Sequence, residues 1–196
     1  AAARVGCGGA VAGAESAAGQ ARRAVAGLGG PGIAVLTGVV LGIRWGPGSD
    51  PALHDNLVAA AMLCGSDGNV RSDQDLVFFN QVVSQDASVA RLTELLGDDD
   101  EQIEVDLASV PADIDRIVAV LYINEGSASK RALGQLQSCV IRVLNLADNV
   151  ELVRSEDLAQ ALNAETSVIL GQLYRHQGGW KFKVVGQGSS AGLRGI

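Results

Sequence analysis

The 196-residue chain has few aromatic residues, histidines or cysteines. Aromatics are 4% of the residues, so a core must be built mostly from Val, Leu, Ile and Ala. The only histidines are His54 and His176, and the three cysteines include no CxxC pair, which argues against a zinc site. Cys64 and Cys139 lie in apolar runs, which predicts buried, reduced thiols and a cytoplasmic location.

Long apolar runs are also absent. The longest segment, "IAVLTGVVLGIRW" from Ile33 to Trp45, is too short and too interrupted to span a bilayer. Residues 1–30 are rich in Ala and Gly and lack the basic start and compact apolar segment of a signal peptide. We therefore expect a soluble, not membrane-spanning protein with two parts. Residues 1–30 form an extension, either a loose helix or disordered, and residues 31–196 form one domain.

Basic residues are nearly absent from the middle of the chain. Residues 50–115 contain fifteen acids against Arg71 and Arg91, a net charge of −13, whereas the segments before and after this region are each +3. A nucleic-acid partner is not expected, because phosphate binding requires a basic surface. The acidic segment is compatible with a cation or with a basic partner surface.

Short runs rich in Val, Ile and Leu recur at intervals of about ten residues, with Gly, Asp, Asn and Ser between them. This spacing is typical of antiparallel strands rather than βαβ units, and it predicts an all-β fold, a two-layer antiparallel β-sandwich with a few short helices. The predicted strands are residues 33–45, 57–64, 75–80, 87–93, 101–107, 116–124, 138–146, 150–154, 166–175 and 180–186. We predict short helices at 109–115 and 155–164, and a hairpin that turns at Gly178 and Gly179.

Two short motifs match known patterns by letter only. "GLGGPG" at 27–32 fits GxGxxG, but an Ala-rich stretch precedes it, Pro31 interrupts it and a predicted strand follows it, so a linker is favoured. "SASK" at 127–130 fits SxxK without the companion elements of serine acyltransferases, so a polar loop is favoured. The sequence singles out no catalytic residues.

The candidate chemistry lies in "LGDDDEQIEVDL" at 96–107, where four consecutive acids precede an alternating strand pattern. A hard cation such as Ca²⁺ takes about six to eight oxygen ligands, usually from several loops. Composition alone favours a solvated turn over a metal site. The candidate metal ligands are Asp98, Asp99, Asp100, Asp55, Asn56, Asp73 and Asp75.

Several blocks resemble the TerD-type tellurium-resistance and stress protein family of bacteria. They are "NVRSDQDLVFFNQ" (69–81), "GDDDEQIEVDLASVPADIDRIVAVLYI" (97–123), "ALGQL" (132–136) and "GQLYRHQGGWKFKVVGQG" (171–188). The resemblance implies a cytoplasmic β-sandwich that binds calcium through acidic loops. It also implies an association with resistance to tellurite and other stresses, with no established enzymatic activity.

The chain departs from the pattern of this family where calcium ligands are implied. Gly46 follows Trp45 where the family usually has Asp, and Asn56 and Val58 replace two aspartates. Ala90 and Arg91 replace an Asp-Asn pair. Because Val and Ala side chains cannot ligate a cation and Arg adds a positive charge, we predict calcium sites that are weakened or lost.

These observations predict a non-enzymatic, cytoplasmic stress-response protein, associated with tellurite resistance, that acts as a binding or scaffold module. The expected partners are other proteins of a stress-response complex, and oligomer formation is left open. One alternative is a structural partner-binding subunit that is independent of calcium. A less favoured alternative is a hydrolase or reductase of tellurium or phosphorus species, which needs a reactive thiol or an organised base.

Overall fold

The structure is a computed structural model that describes residues 36–46, 48–125 and 130–196, together with the backbone of 25–28. The strands are β1 Val25–Leu28, β2 Gly38–Gly46, β3 Leu57–Cys64, β4 Leu76–Val77, β5 Val89–Arg91, β6 Glu101–Asp106, β7 Arg116–Ile123, β8 Ser138–Asn145, β9 Glu151–Arg154, β10 Ser167–His176 and β11 Gly179–Ser189. The one α-helix in these ranges is α1, Pro51–Asp55. Four single 3-10 turns cover Asp73–Asp75, Leu133–Gln135, Leu158–Ala161 and Gly192–Gly195.

The strands form two antiparallel sheets that pack face to face. One sheet has six strands in the order β1-β11-β10-β7-β3-β4, and the other has five in the order β5-β6-β2-β8-β9. The prediction of an all-β, two-layer sandwich is therefore confirmed. Within the described ranges, no helix combines the length and the apolar character needed to cross a bilayer.

The main core lies between the two sheets. Alternate residues of β2, namely Val39, Leu41, Ile43 and Trp45, point into it with the large inward side chains of the facing sheet. β7 is apolar on both faces because β10 and β3 flank it and a second cluster covers its outer face. This agrees with the expectation that central, doubly covered strands carry near-continuous apolar runs.

Predicted strand positions agree with the structure better than predicted helices and turns do. The segments 75–80 and 87–93 shorten to β4 and β5. Residues 109–115 form turns rather than a helix, and 155–164 contains only the 3-10 turn Leu158–Ala161. Helix α1 was not predicted, although Pro51 is its first residue and the Asp50 side chain caps it by accepting a hydrogen bond from Ala52 N.

The β10–β11 hairpin turns one residue earlier than predicted. The two turn residues are Gln177 and Gly178, with φ of 48° and 77°, and Gly179 is the first residue of β11. Positive φ at both positions is the signature of a type I′ turn, whose twist matches that of the flanking strands.

Residues Val25–Leu28, within the predicted extension 1–30, form strand β1 of the six-stranded sheet. They pair with β11 in the register Val25↔Lys183 to Leu28↔Trp180. The predicted extension otherwise falls outside the described residues, as do the start of the predicted strand 33–45 and most of the GLGGPG and SASK stretches.

Candidate functional site

The acidic run Asp98–Glu101 lies at the end of β2, where it leads into β6. Asp100 holds the run in this position through two hydrogen bonds. Its backbone N–H donates to Ile43 O at 2.9 Å, and its carboxylate accepts a hydrogen bond from Trp45 N at 2.8 Å. Next to this contact, Ile43 pairs with Glu101 in the β2–β6 register. The run is therefore an ordered extension of the sheet edge, held by main-chain contacts.

Asp99 folds back over the outer face of the five-stranded sheet. Gly42 on β2 has Gln102 and Arg142 as its neighbours on β6 and β8, and the Asp99 carboxylate lies over Gly42 between these two side chains. Arg142 donates to it from Nε at 2.9 Å and from Nη2 at 2.8 Å, and Gln102 Nε2 donates at 2.7 Å. A Cβ at position 42 would overlap with Asp99 Oδ2, so the carboxylate requires the glycine.

Each of the other three acids also has a basic side chain nearby. Arg91 donates to both carboxylate oxygens of Glu101 at 2.7 Å. His54 Nε2 is 3.6 Å from Asp100 Oδ1, and Arg44 Nη1 is 3.7 Å from Asp98 Oδ2. The Asp98 side chain is 84% exposed, so its contact is the weakest of the four.

The hydrogen bonds favour the protonated form of Arg142 and Arg91. The bond to Asp99 is the main cause that raises the pKa of Arg142 above its usual value, and the bond to Glu101 acts in the same way on the pKa of Arg91. Both guanidinium groups are therefore permanent cations at the acidic run.

The predicted ligands at the end of α1 lie near the run but have other contacts. Asn56 Nδ2 donates to Ala52 O at 2.8 Å and to Glu125 Oε1 at 2.9 Å. The Asp55 side chain is 79% exposed, with its Oδ1 3.6 Å from His54 Nδ1. Val58 packs into an apolar cluster with Ala60 and Tyr122, so this position contributes no polar group near α1.

The remaining predicted ligands, Asp73 and Asp75, belong to a different place in the fold. Asp75 is buried and accepts hydrogen bonds from Arg71, at 2.8 Å from Nε and 2.7 Å from Nη2. The same guanidinium reaches Asp113 at 3.1 Å and Asp86 at 3.1 Å. Arg71 thus joins three carboxylates from three loops, in an arrangement like that of a bound cation. Hydrogen bonding to Asp75 is the main cause that raises the pKa of Arg71.

The partners of the acidic groups were the main feature that sequence reasoning missed. Arg142 and Arg131 are far in sequence from Asp99 and Asp50, to which they bind. Local spacing indicated only short-range pairs, such as Arg71 with Asp75 (i, i+4) and Arg154 with Glu151 (i, i+3). Across the described residues, no group of three or more His, Cys, Asp and Glu side chains is arranged to hold a metal ion. A weak calcium site at the acidic run stays a prediction.

The described cysteines are both buried. Burial raises the pKa of the Cys139 thiol to about 12, with a smaller contribution from Asp157. Cys64 is fully buried at the end of β3 and is disulfide-bonded, which differs from the reduced thiol expected there. Neither residue presents the exposed thiolate that a thiol-dependent hydrolase or reductase would need.

The comparisons with known proteins agree with this architecture. The TerD domain family model matches residues 32–196. The chain is 36% identical over 165 residues to Tellurium resistance protein TerD of Serratia marcescens, an alignment that covers 82% of this chain and 85% of the relative. It is 37% identical over 166 residues to General stress protein 16U of Bacillus subtilis (strain 168), with 82% and 86% covered.

A solved structure shares the fold at much lower sequence identity. It is a homologue of telluride resistance protein (TerD) from Streptomyces coelicolor A3(2), with a TM-score of 0.60 and 16% identity, covering 79% of this chain and 90% of that chain. That likeness concerns the fold alone. The family model and the two relatives decide the assignment, because they match most of the chain: it belongs to the TerD domain family.

Proposed function

We propose that this chain is a non-enzymatic, cytoplasmic stress-response protein that binds other proteins and has calcium sites that are weakened or lost. The observation that supports the proposal is the pairing of Asp98, Asp99, Asp100 and Glu101 with four separate basic side chains. The arginines supply the positive charge that a bound ion would otherwise supply. The acidic run is then ordered without calcium.

The strength of these pairs argues against tight calcium binding. A calcium ion at Asp99 would have to displace a guanidinium that donates two hydrogen bonds in a partly buried setting, and such charge-assisted bonds are about twice as strong as neutral ones. It would also have to approach within a few ångströms of the positive charge that remains. Both effects lower the affinity for the ion.

A calorimetric titration with Ca²⁺ tests the calcium part of the proposal. We expect wild-type protein to bind no more tightly than about 100 μM, the range of weak extracellular modules. We also expect the same melting temperature in calcium and in chelator, because an ion that binds weakly adds little stability. Submicromolar binding would refute the proposal.

A gain-of-binding variant makes the test sharper. Ala90→Asp with Arg91→Asn restores the residue types of the family pattern on β5 and removes the guanidinium beside Glu101. We expect its calcium affinity to rise by at least about tenfold, as a new carboxylate and a lost positive charge both favour the ion. Arg194→Asn is the control, since it removes an exposed guanidinium from the turn Gly192–Gly195, which contacts β7, β10 and β11 of the other sheet, and it should leave the affinity unchanged.

The protein-binding part requires a separate experiment. Co-purification from the native cytoplasm, in buffer with calcium and in buffer with chelator, should recover the same partner proteins in both. Partners recovered only with calcium would contradict an acidic run that arginines keep ordered. Recovery of the chain in an extracytoplasmic fraction would contradict the location.

A further inference from the structure

We propose that a surface pocket beside β4 binds a lysine or arginine side chain of a partner protein. The pocket has a volume of about 260 Å³ and lies on the six-stranded sheet, away from the acidic run. Its described lining is mostly apolar and comprises Met62, Val70, Ser72, Asp73, Leu76, Phe78 and Gln81. The proposal rests on the protein-binding role above but not on the state of the calcium sites.

Hydrogen bonds and an ion pair fix the conformation of the turn that carries Asp73 at the pocket. Ser72 caps the 3-10 turn Asp73–Asp75 by accepting a hydrogen bond from Gln74 N. The Gln81 side chain crosses the turn and donates from Nε2 to Asp73 O at 3.0 Å and to Leu76 O at 2.5 Å. On the other side the turn is anchored by the ion pair of the buried Asp75 with Arg71. The pocket is therefore largely preformed.

Asp73 differs from the neighbouring acids because its carboxylate has no partner among the residues that the structure describes. Asp75, Asp86 and Asp113 all bind Arg71, but the Asp73 carboxylate makes no hydrogen bond or ion pair with any residue that the structure describes. It is exposed at the rim of an apolar pocket. An aliphatic stem with a cationic end complements this surface, because the stem replaces water in the pocket and the charge meets the carboxylate.

The size of the pocket favours a single side chain over a cofactor. Drug-sized ligands occupy sites of about 300–1,000 Å³, and this pocket is below that range. Next to it, the connection that follows β4 exposes Phe79, Val82 and Val83, each at least 40% accessible. These side chains provide apolar surface for the residues that flank a basic side chain in a partner. A basic segment also complements the net charge of −13 on residues 50–115.

The test uses three short peptides and the full chain. Acetyl-Leu-Lys-Leu-amide is compared with peptides in which norleucine or glutamate replaces the lysine, by following backbone amide NMR shifts. We expect the lysine peptide to give saturable shifts that concentrate at residues 70–81. We expect binding of the norleucine peptide to be about fivefold weaker, the factor for a surface ion pair near 1 kcal/mol, and the glutamate peptide to be weaker still.

Two variants assign the effect to the pocket. Asp73→Asn should remove the preference for lysine over norleucine, and its control Glu94→Gln, which removes one exposed charge between β5 and β6, should keep it. Val70→Phe should fill the pocket and abolish binding of all three peptides, with a melting curve to verify its fold.

Two results of the peptide titrations would overturn the proposal: no saturable shift with the lysine peptide, or equal binding of the norleucine peptide. A parallel titration with hexylammonium gives a third such result, namely binding of this amine without binding of the lysine peptide. The last would identify a free amine as the ligand. None of them bears on calcium titration or on co-purified partners, so failure here is distinguishable from failure of the proposed function.

Discussion

At the level of single residues, the carboxylate of Asp99 is the group at the acidic run whose charge is most costly to bury. Its side chain is 4% exposed, and Arg142 supplies the compensating charge from a side chain that is 19% exposed. Removing one member of a buried pair leaves an uncompensated charge, which costs more than the pair itself contributes. The arginine therefore decides whether the run can keep its conformation.

Arg142→Gln should lower the free energy of unfolding by about 2–4 kcal/mol, because Asp99 would be left buried without its cation. Urea denaturation measures this loss. The matched control is Arg154→Gln, whose pair with Glu151 is 49% and 34% exposed and should contribute less than about 1 kcal/mol.

A second variant separates the charge effect from general damage. Asp99→Asn added to Arg142→Gln removes the buried charge and should recover at least half of the lost stability. If the double variant is no more stable than Arg142→Gln alone, the loss does not arise from the unpaired carboxylate.

At the level of elements, strand β2 provides the space that the acidic run occupies on the sheet. Gly42 has neighbours on both sides in the sheet, and its missing side chain is the space in which Asp99 lies. Gly42→Ala should displace the carboxylate from Arg142 and destabilise the fold by about 1–3 kcal/mol, the usual cost of overpacking. Thermal denaturation measures the loss.

Gly179→Ala is the comparison for this variant. Its added Cβ would meet only His176 O at 3.8 Å, an ordinary contact, so its melting temperature should change little. Equal losses in the two variants would mean that the cost is that of any glycine replacement in a strand.

The β10–β11 hairpin gives a prediction with the opposite sign. Gln177 has a φ of 48°, where a glutamine is strained, and Asn-Gly is the preferred pair for a type I′ turn. Gln177→Asn should therefore raise the free energy of unfolding by about 0.5 kcal/mol, measured by urea denaturation. Lower stability would show that Gln177 makes a contribution that its backbone angle does not reveal.

At the level of the whole molecule, carboxylates that prefer their ionised form make the fold sensitive to acid. Hydrogen bonding to Arg154 is the main cause that lowers the pKa of Glu151. Burial acts to raise the pKa of Asp86, but hydrogen bonds from Ser88, Ser84 and Arg71 outweigh it, so this pKa is also lowered. A lowered folded pKa stabilises the fold above the unfolded value and loses that contribution as pH falls through the folded value.

The urea midpoint should therefore be constant from pH 7 to about 5 and fall below about 4, with less than about 1 kcal/mol from each of these two groups after solvent screening. Asp86→Asn should be less stable than wild type at neutral pH and should lose less on acidification. A midpoint that rises as the pH falls below 4 would contradict the sign of both shifts.

Much of the sandwich was predictable because strand patterns are local. The alternation of Ile103, Val105 and Leu107 and the continuous apolar run of β7 depend only on which faces of a strand are covered. The failures were also local in origin. Residues 109–115 have helix-start residues but too few residues for a stable helix. Helix α1 has only five residues, too few to give a helical pattern, and the Asp50 side chain caps it.

The fold class, most strand positions, the concentration of acids in residues 50–115 and the apolar character of Val58 and Ala90 could be read from the sequence. The cations that Asp99 and Asp50 meet depend on the tertiary structure. Arg142 is 43 residues from Asp99 in the chain. The two meet because β6, which follows the acidic run, and β8, which carries Arg142, flank β2 on either side of Gly42. Strand pairing brings distant charges together, and no local pattern records such a pairing.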